Sequence, residues 1–120
     1  MMQRSILIYE DDREILELCK TLLIAFGHRV ITRTRCEQII QDIAEVRPDA
    51  VLMDLWIPEI GGEQAITLLR KTPEARDTPV ILFSANDEIE SISQKVNANA
   101  YLKKPFDIEH FKQVIEQVLS

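Results

Sequence analysis

The chemistry in this 120-residue sequence is concentrated in four places: the acidic run Glu10-Asp11-Asp12, the lone Asp54, Ser84, and the pair Lys103-Lys104 ahead of Pro105. Each follows a short run of consecutive apolar residues, so each stands where a strand would end. Carboxylates held about 4 Å apart repel by about 4 kcal/mol per pair at an effective dielectric near 20. A convergence of Glu10, Asp11 and Asp54 therefore needs a cation. Two or three carboxylates with water completing the shell suit Mg²⁺, whereas Ca²⁺ favours a fuller oxygen cage and Zn²⁺ would want His or Cys nearby. A carboxylate oxygen beside such an ion can attack phosphorus and form an aspartyl phosphate, provided that the charge growing on the transferring oxygens is neutralised. The Ser84 hydroxyl can donate to one of those oxygens and the Lys104 ammonium can pair with another. Taken singly, the same residues have plainer roles: Asp12 caps a helix, Asp54 caps a turn, and Lys103 is a solvated lysine at a strand end. The bond before a proline can be cis, and a cis Lys104–Pro105 bond would aim Lys104 inward.

The elements that must bring these residues together follow from hydrophobic patterning. Five apolar runs, Ser5 to Tyr9, Arg29 to Thr32, Ala50 to Met53, Val80 to Phe83 and Ala100 to Leu102, alternate with segments of helical period. That alternation predicts βα units and a parallel sheet whose strands are buried on both faces. Ile15, Leu16, Cys19, Leu22, Leu23 and Phe26 form one stripe of a first helix closed by Gly27. Ile39, Ile40, Ile43 and Val46 mark a second, ending before Pro48. A third begins near Gly62 and ends by Pro73. A fourth, Asp87 to Val96, has only Ile89, Ile92 and Val96 as large apolar anchors and is expected to be the most mobile. Ile108, Phe111, Val114, Ile115, Val118 and Leu119 define a fifth, with Asp107 placed to cap it. Helices on both faces and right-handed crossovers make a doubly wound sheet, in which function sits beyond the carboxyl ends of the strands and the first and third strands are neighbours.

Composition bounds the rest. The length suits one domain, residues 1–120, and 46% hydrophobic with 28% charged residues indicates a globular core. A net charge of −6 disfavours direct binding to nucleic acid or anionic membranes. No apolar run approaches membrane-spanning length, and Met1-Met2-Gln3-Arg4 leads into a strand, not a signal peptide, so a cytoplasmic location is expected. Cys19 and Cys36 lie in segments that read as helical, without zinc or redox spacing; Cys19 reads as core packing and Cys36 has no assigned role. His28 and His110 read as surface residues away from the acidic cluster.

The runs Ile6-Leu7-Ile8-Tyr9-Glu10-Asp11-Asp12, Pro48-Asp49-Ala50-Val51-Leu52-Met53-Asp54-Leu55-Trp56-Ile57-Pro58 and Tyr101-Leu102-Lys103-Lys104-Pro105-Phe106 together resemble the receiver domains of bacterial response regulators, along essentially the whole chain. The resemblance implies a flavodoxin-like, five-stranded α/β sheet of order 2-1-3-4-5 with five helices. It implies a Mg-dependent phosphoacceptor, Asp54, which takes its phosphoryl group from a histidine kinase or phosphotransfer protein. Asp11 and Asp54 would bind Mg²⁺ directly, Glu10 through water, and the Trp56 backbone carbonyl would complete the protein ligands. Ser84 stands where the family has Thr or Ser, Tyr101 where it has a switching aromatic, and Ala85 where it has a small residue beside the phosphoryl group. Such a chain catalyses only its own phosphorylation and dephosphorylation. It signals through the face built from helix four, strand five and helix five to a downstream protein or to an output domain that this chain does not include, as a monomer or as a weak homodimer through that face.

Three positions depart from the family pattern. Gly61 replaces an Asp before the glycine of helix three. Asn97 replaces a Gly after helix four, although Asn tolerates the left-handed conformation. Trp56 is bulkier than most residues two places after the phosphoacceptor and faces the attacking water, so unusual dephosphorylation kinetics are expected. An interaction module without the chemistry would have lost site residues, and none is missing. A phosphatase of the haloacid dehalogenase type needs a second Asp where Trp56 stands. FMN binding or a P-loop needs a Ser/Thr- or Gly-rich loop in place of the acids after strand one.

Overall fold

The computed structural model describes residues 3–57 and 59–120; Met1, Met2 and Pro58, the last residue of the Asp54 motif, lie outside the described residues. The chain alternates β1 (Ser5–Tyr9), α1 (Arg13–Ala25), β2 (Arg29–Arg33), α2 (Ile39–Val46), β3 (Ala50–Asp54), α3 (Gly62–Lys71), β4 (Val80–Ser84), α4 (Ile89–Lys95), β5 (Ala100–Lys103) and α5 (Ile108–Leu119). The strands are parallel and ordered β2-β1-β3-β4-β5, the doubly wound arrangement expected. Register aligns the strand ends. Tyr9 lies opposite Met53, Asp54 opposite Phe83, and Ser84 opposite Lys103, so the residues that follow β1, β3, β4 and β5 emerge along one rim.

Side-chain alternation along the strands divides the core in two. Leu7, Tyr9, Val51, Met53 and Leu82 pack under α2, α3 and α4 through Ile39, Ile43, Ile66, Leu69 and Ile89. Ile6, Ile8, Leu52, Ile81 and Phe83 pack under α1 and α5 through Leu16, Cys19, Leu23, Phe111 and Ile115. Fully burying one such aliphatic or aromatic side chain contributes about 2 kcal/mol. Helix ends follow their local chemistry. Asp12 caps α1 by accepting from the backbone N–H of Glu14 and Ile15, and Asp107 caps α5 by accepting from His110 N–H. Gly27, with φ +94°, turns the chain out of α1 into β2.

The structure corrects several expectations. β2, β3, β4 and β5 each run one residue further than the apolar runs, because ladder pairing continues into polar positions; Asp54 and Ser84 are thus the last residues of their strands. Only β3 and β4 are buried along their whole length, whereas β2 and β5, at the sheet edges, are half-exposed. α4 is shorter than expected, starting at Ile89. The Asn86 side chain accepts from Glu88 N–H at 2.8 Å, and this local turn competes with helix over Asp87 and Glu88. Cys36 is not helical: it lies in the β2–α2 loop, buried, its thiol donating to the Ile60 carbonyl at 3.2 Å. Cys19 packs in the core, and burial pushes its thiol up to about 12 and that of Cys36 up to about 11, so neither is a ready thiolate. His110 is exposed, but His28 is only half-exposed, and its Nδ1 is enclosed.

One basic residue ties the lower rim together. Arg70, at the end of α3, donates to the carbonyls of Arg76, Thr78 and Asn97 and to the Asn99 side chain at 2.6–3.1 Å. Asn97 adopts φ 60°, the left-handed conformation foreseen for it. Asn99 Oδ1 also accepts from Val80 N–H at the start of β4. Arg70→Ala would leave several of these acceptors unpaired and should lower stability by about 2 kcal/mol, read as a shift in urea midpoint at unchanged slope.

Candidate functional site

The rim gathers the acids. One carboxylate oxygen from each of Glu10, Asp11 and Asp54 lies within 4.8 Å of the others, although the residues come from two strand ends. Glu10 and Asp54 are buried and Asp11 is exposed, so the cluster has a closed floor and an open mouth. Glu10 is held from three sides. Its N–H donates to the Arg33 carbonyl at 3.0 Å, its Oε2 accepts from Asp12 N–H at 3.1 Å, and its Oε1 accepts from Lys104 Nζ at 2.9 Å. Asp54 Oδ1 accepts from Trp56 N–H at 3.4 Å and from Lys104 Nζ at 3.5 Å.

Lys104 thus bridges two buried carboxylates that stand at the ends of different strands, while Lys103 points away to pair with Asp87. Several local features hold Lys104 there. Its N–H donates to the Ser84 carbonyl at 2.8 Å, and its ammonium sits 4.3 Å from the Phe83 ring centroid. The Lys104–Pro105 peptide is cis, and in the next residue the Phe106 ring stacks on Phe111 at 5.1 Å. Burial pushes the Glu10 carboxyl upward, and the facing Asp54 adds to this; Lys104 and the Asp12 N–H oppose it.

The other expected residues fall around the cluster. Ser84 is buried at the end of β4, where its Oγ accepts from Asn86 N–H at 3.1 Å. Ala85 is exposed beside it. Tyr101 lies on β5 opposite Leu82 and is 37% exposed. Trp56 is 66% exposed, two residues beyond the end of the strand that carries Asp54. Sequence reasoning missed a second polar group beneath the rim. The buried Tyr9 hydroxyl donates to Asp42 Oδ2 at 2.6 Å, and Arg33 Nε lies 3.6 Å from Asp42 Oδ1. A tyrosine in an otherwise apolar buried strand was the available signal, since a buried phenol needs a partner.

A doubly wound sheet with three carboxylates and one lysine converging at its carboxyl edge is a fold that carries its site where open α/β sheets bind ligands. The response regulator receiver domain family matches residues 6–116, and the chain belongs to that family, the receiver domains of two-component signalling. It is similar to the polar-differentiation response regulator DivK of Brucella anthropi, with 34% identity over 123 residues, 99% of this chain and 98% of that protein. It is also similar to the transcriptional regulatory protein KdpE of Staphylococcus aureus, with 33% identity, where the match spans 98% of this chain and 52% of KdpE. Among solved structures, the receiver domain of the Pseudomonas aeruginosa sensor histidine kinase PA1611, which holds a magnesium ion in its active-site cleft, superposes with a TM-score of 0.89 at 25% identity, covering 98% of each chain. The chemotaxis regulator CheY4 of Vibrio cholerae shares the fold, with a TM-score of 0.89 at 21% identity over 98% of this chain and all of that one. As a receiver domain the chain is a signalling domain. No helix among the described residues is long and apolar enough to cross a membrane.

Proposed function

We propose that Asp54 accepts a phosphoryl group from the phosphohistidine of a kinase or phosphotransfer protein, in a Mg²⁺-dependent reaction. The observation that carries this reading is the contact of Lys104 with both Glu10 and Asp54 beside Asp11. The donors fit Mg²⁺: all are hard oxygens, a single ammonium leaves the three carboxylates under-neutralised, and exposed Asp11 leaves room for water. Glu10, Asp11, Asp54 and the Trp56 carbonyl would hold the ion. When bound, it would neutralise charge on the phosphoryl oxygens. An Asp54 oxygen attacks phosphorus, the O–P bond forms as the P–N bond breaks, and the histidine nitrogen keeps the electron pair. Lys104, 3.5 Å from Asp54 Oδ1, is within reach to pair with an arriving phosphoryl oxygen.

The Ser84 hydroxyl accepts from Asn86 N–H and keeps its own proton to donate to the phosphoryl group. That bond would draw the β4–α4 loop toward Asp54 with Ala85 beside the phosphoryl group, and Tyr101, exposed on the neighbouring strand, would turn inward. α4 is seven residues long with no side-chain cap at its start, which suits an element that shifts between two states. The face of α4, β5 and α5 would carry the signal to a downstream protein or an output domain, or to a second copy in a weak homodimer. Near Lys104, a groove of 310 Å³ lined by Ile15, Leu18, Ala85, Pro105 and Phe106 offers an apolar seat for the phosphodonor partner. From that proposed partnership we infer a cytoplasmic location.

Incubation with a small phosphodonor and Mg²⁺ should add the mass of one HPO₃ to the wild type. Chelation of Mg²⁺ or Asp54→Asn should abolish the adduct, and an adduct of equal yield on Asp54→Asn would contradict the reading. The exposed Trp56 indole shields the acyl phosphate from water in this account. Trp56→Asn should therefore shorten the phosphoprotein lifetime several-fold, and an unchanged lifetime would contradict that role.

A further inference from the structure

The polar group under the rim serves none of the steps above, yet it borders the backbone that carries Glu10. Tyr9 is the last residue of β1 and Arg33 the last of β2, and the two strand ends are joined just beyond by the Glu10 N–H to Arg33 carbonyl bond. A single carboxylate from α2 gathers both: Asp42 accepts from the Tyr9 hydroxyl at 2.6 Å through one oxygen and faces Arg33 Nε at 3.6 Å through the other. The Arg33 side chain also bonds its own strand, donating to the Thr32 carbonyl at 3.0 Å.

β2 is an edge strand, paired on one side only, so its last residue is where the ladder would fray first. We infer that Tyr9, Asp42 and Arg33 form a positioning clamp that holds the end of β2 against β1 and so fixes Glu10 in the carboxylate cluster. The clamp is buried at its centre. Tyr9 is fully enclosed and Asp42 is 7% exposed, so neither is free to exchange this partnership for water. Burial, and then the Asp42 contact, push the Tyr9 hydroxyl upward, so it remains a donor throughout the physiological range. A short O–H to carboxylate bond is among the stronger neutral-to-charged contacts, and it ties α2 to the last residue of β1, next to the metal-facing acid.

The inference rests on the proposed Mg²⁺ site for its functional consequence, although not for its structural one. In Tyr9→Phe the Glu10 amide should exchange with solvent faster than in wild type. The Mg²⁺ affinity, read from the fluorescence of Trp56, the only tryptophan, should weaken about tenfold. Tyr9→Phe leaves a buried carboxylate with one fewer partner, so Tyr9→Phe/Asp42→Leu, which removes both polar groups together, separates positioning from stability. The double variant should recover stability to urea while Glu10 exchange and Mg²⁺ affinity remain altered. Wild-type Glu10 protection and Mg²⁺ affinity in the double variant would overturn the clamp. Absence of any Mg²⁺ response in the wild type would instead count against the metal site itself, while faster Glu10 exchange in the variants would still support the clamp.

Discussion

Lys104→Met should lose about 3 kcal/mol of stability in the absence of divalent cations, the magnitude typical of removing one partner from a buried ion pair. The side chains of Glu10 and Asp54 are 1% and 5% exposed, and Lys104 is the cation in contact with both among the described residues. Methionine keeps the apolar stem against Phe83 but removes the charge. Two buried carboxylates are then left to repel each other. The loss should depend on pH with a definite sign. The Glu10 carboxyl is already raised by burial and by Asp54, and removal of Lys104 takes away a contact that lowers it. A carboxyl raised in the folded state contributes stability that is complete below its unfolded pKa and is lost as pH rises through the folded one. The variant should therefore lie closer to wild type in mild acid than at neutral pH. Mg²⁺ should restore more stability to the variant than to wild type, because the cluster in the variant has no other cation. Urea denaturation with and without Mg²⁺ at the two pH values measures both effects; equal stability of variant and wild type at neutral pH would contradict the bridging role.

Gly62→Ala should be nearly as damaging, for a steric reason. A Cβ at position 62 would lie 2.3 Å from the Asp54 carbonyl oxygen, 3.1 Å from its carbonyl carbon and 3.0 Å from Met53 Cγ. The nearest of these atoms, the Asp54 carbonyl oxygen, is backbone of the strand that carries the Asp54 carboxylate, so no rotamer relieves the clash. Gly62 N–H also donates to the Leu55 carbonyl at 3.0 Å, which holds α3 close over the end of β3. Overpacking of this kind costs about 3 kcal/mol. The same displacement moves Asp54 relative to Glu10 and Lys104, so the rate of phosphorylation by a small phosphodonor should fall together with the urea midpoint. Gly61, one residue earlier, has 3.4 Å to its nearest neighbour, and Gly61→Ala should change both far less.

The parts of this molecule that could be read from the sequence are those with local causes. The apolar runs of β1, β3 and β4 and the stripes of α1 and α5 are set by period alone, and the acids, Ser84 and Lys104 stand where those runs stop. Strand ends proved one residue longer because backbone pairing does not end where hydrophobicity does, as Asp54 opposite Phe83 illustrates. Edge exposure of β2 and β5 depends on strand order, which a single strand does not encode. Asn86 shortened α4 through a side-chain turn that looks, in sequence, like any polar residue before a helix. Arg70 and Asp42 were illegible for a different reason. Arg70 reads as a surface residue of α3 and Asp42 as a polar residue of α2, and their partners at Asn97 and Asn99, and at Tyr9 and Arg33, come from elements that only the folded topology brings near.

In the proposed reaction the carboxylate of Asp54 becomes the acyl phosphate, a group that borohydride traps. Borohydride reduces an aspartyl phosphate to homoserine, so protein treated with phosphodonor and Mg²⁺ can be reduced, digested and sequenced by mass. Homoserine at position 54 alone is the predicted result. Homoserine at Glu10, Asp11 or another carboxyl, or phosphoryl uptake that leaves Asp54 intact, would contradict the account.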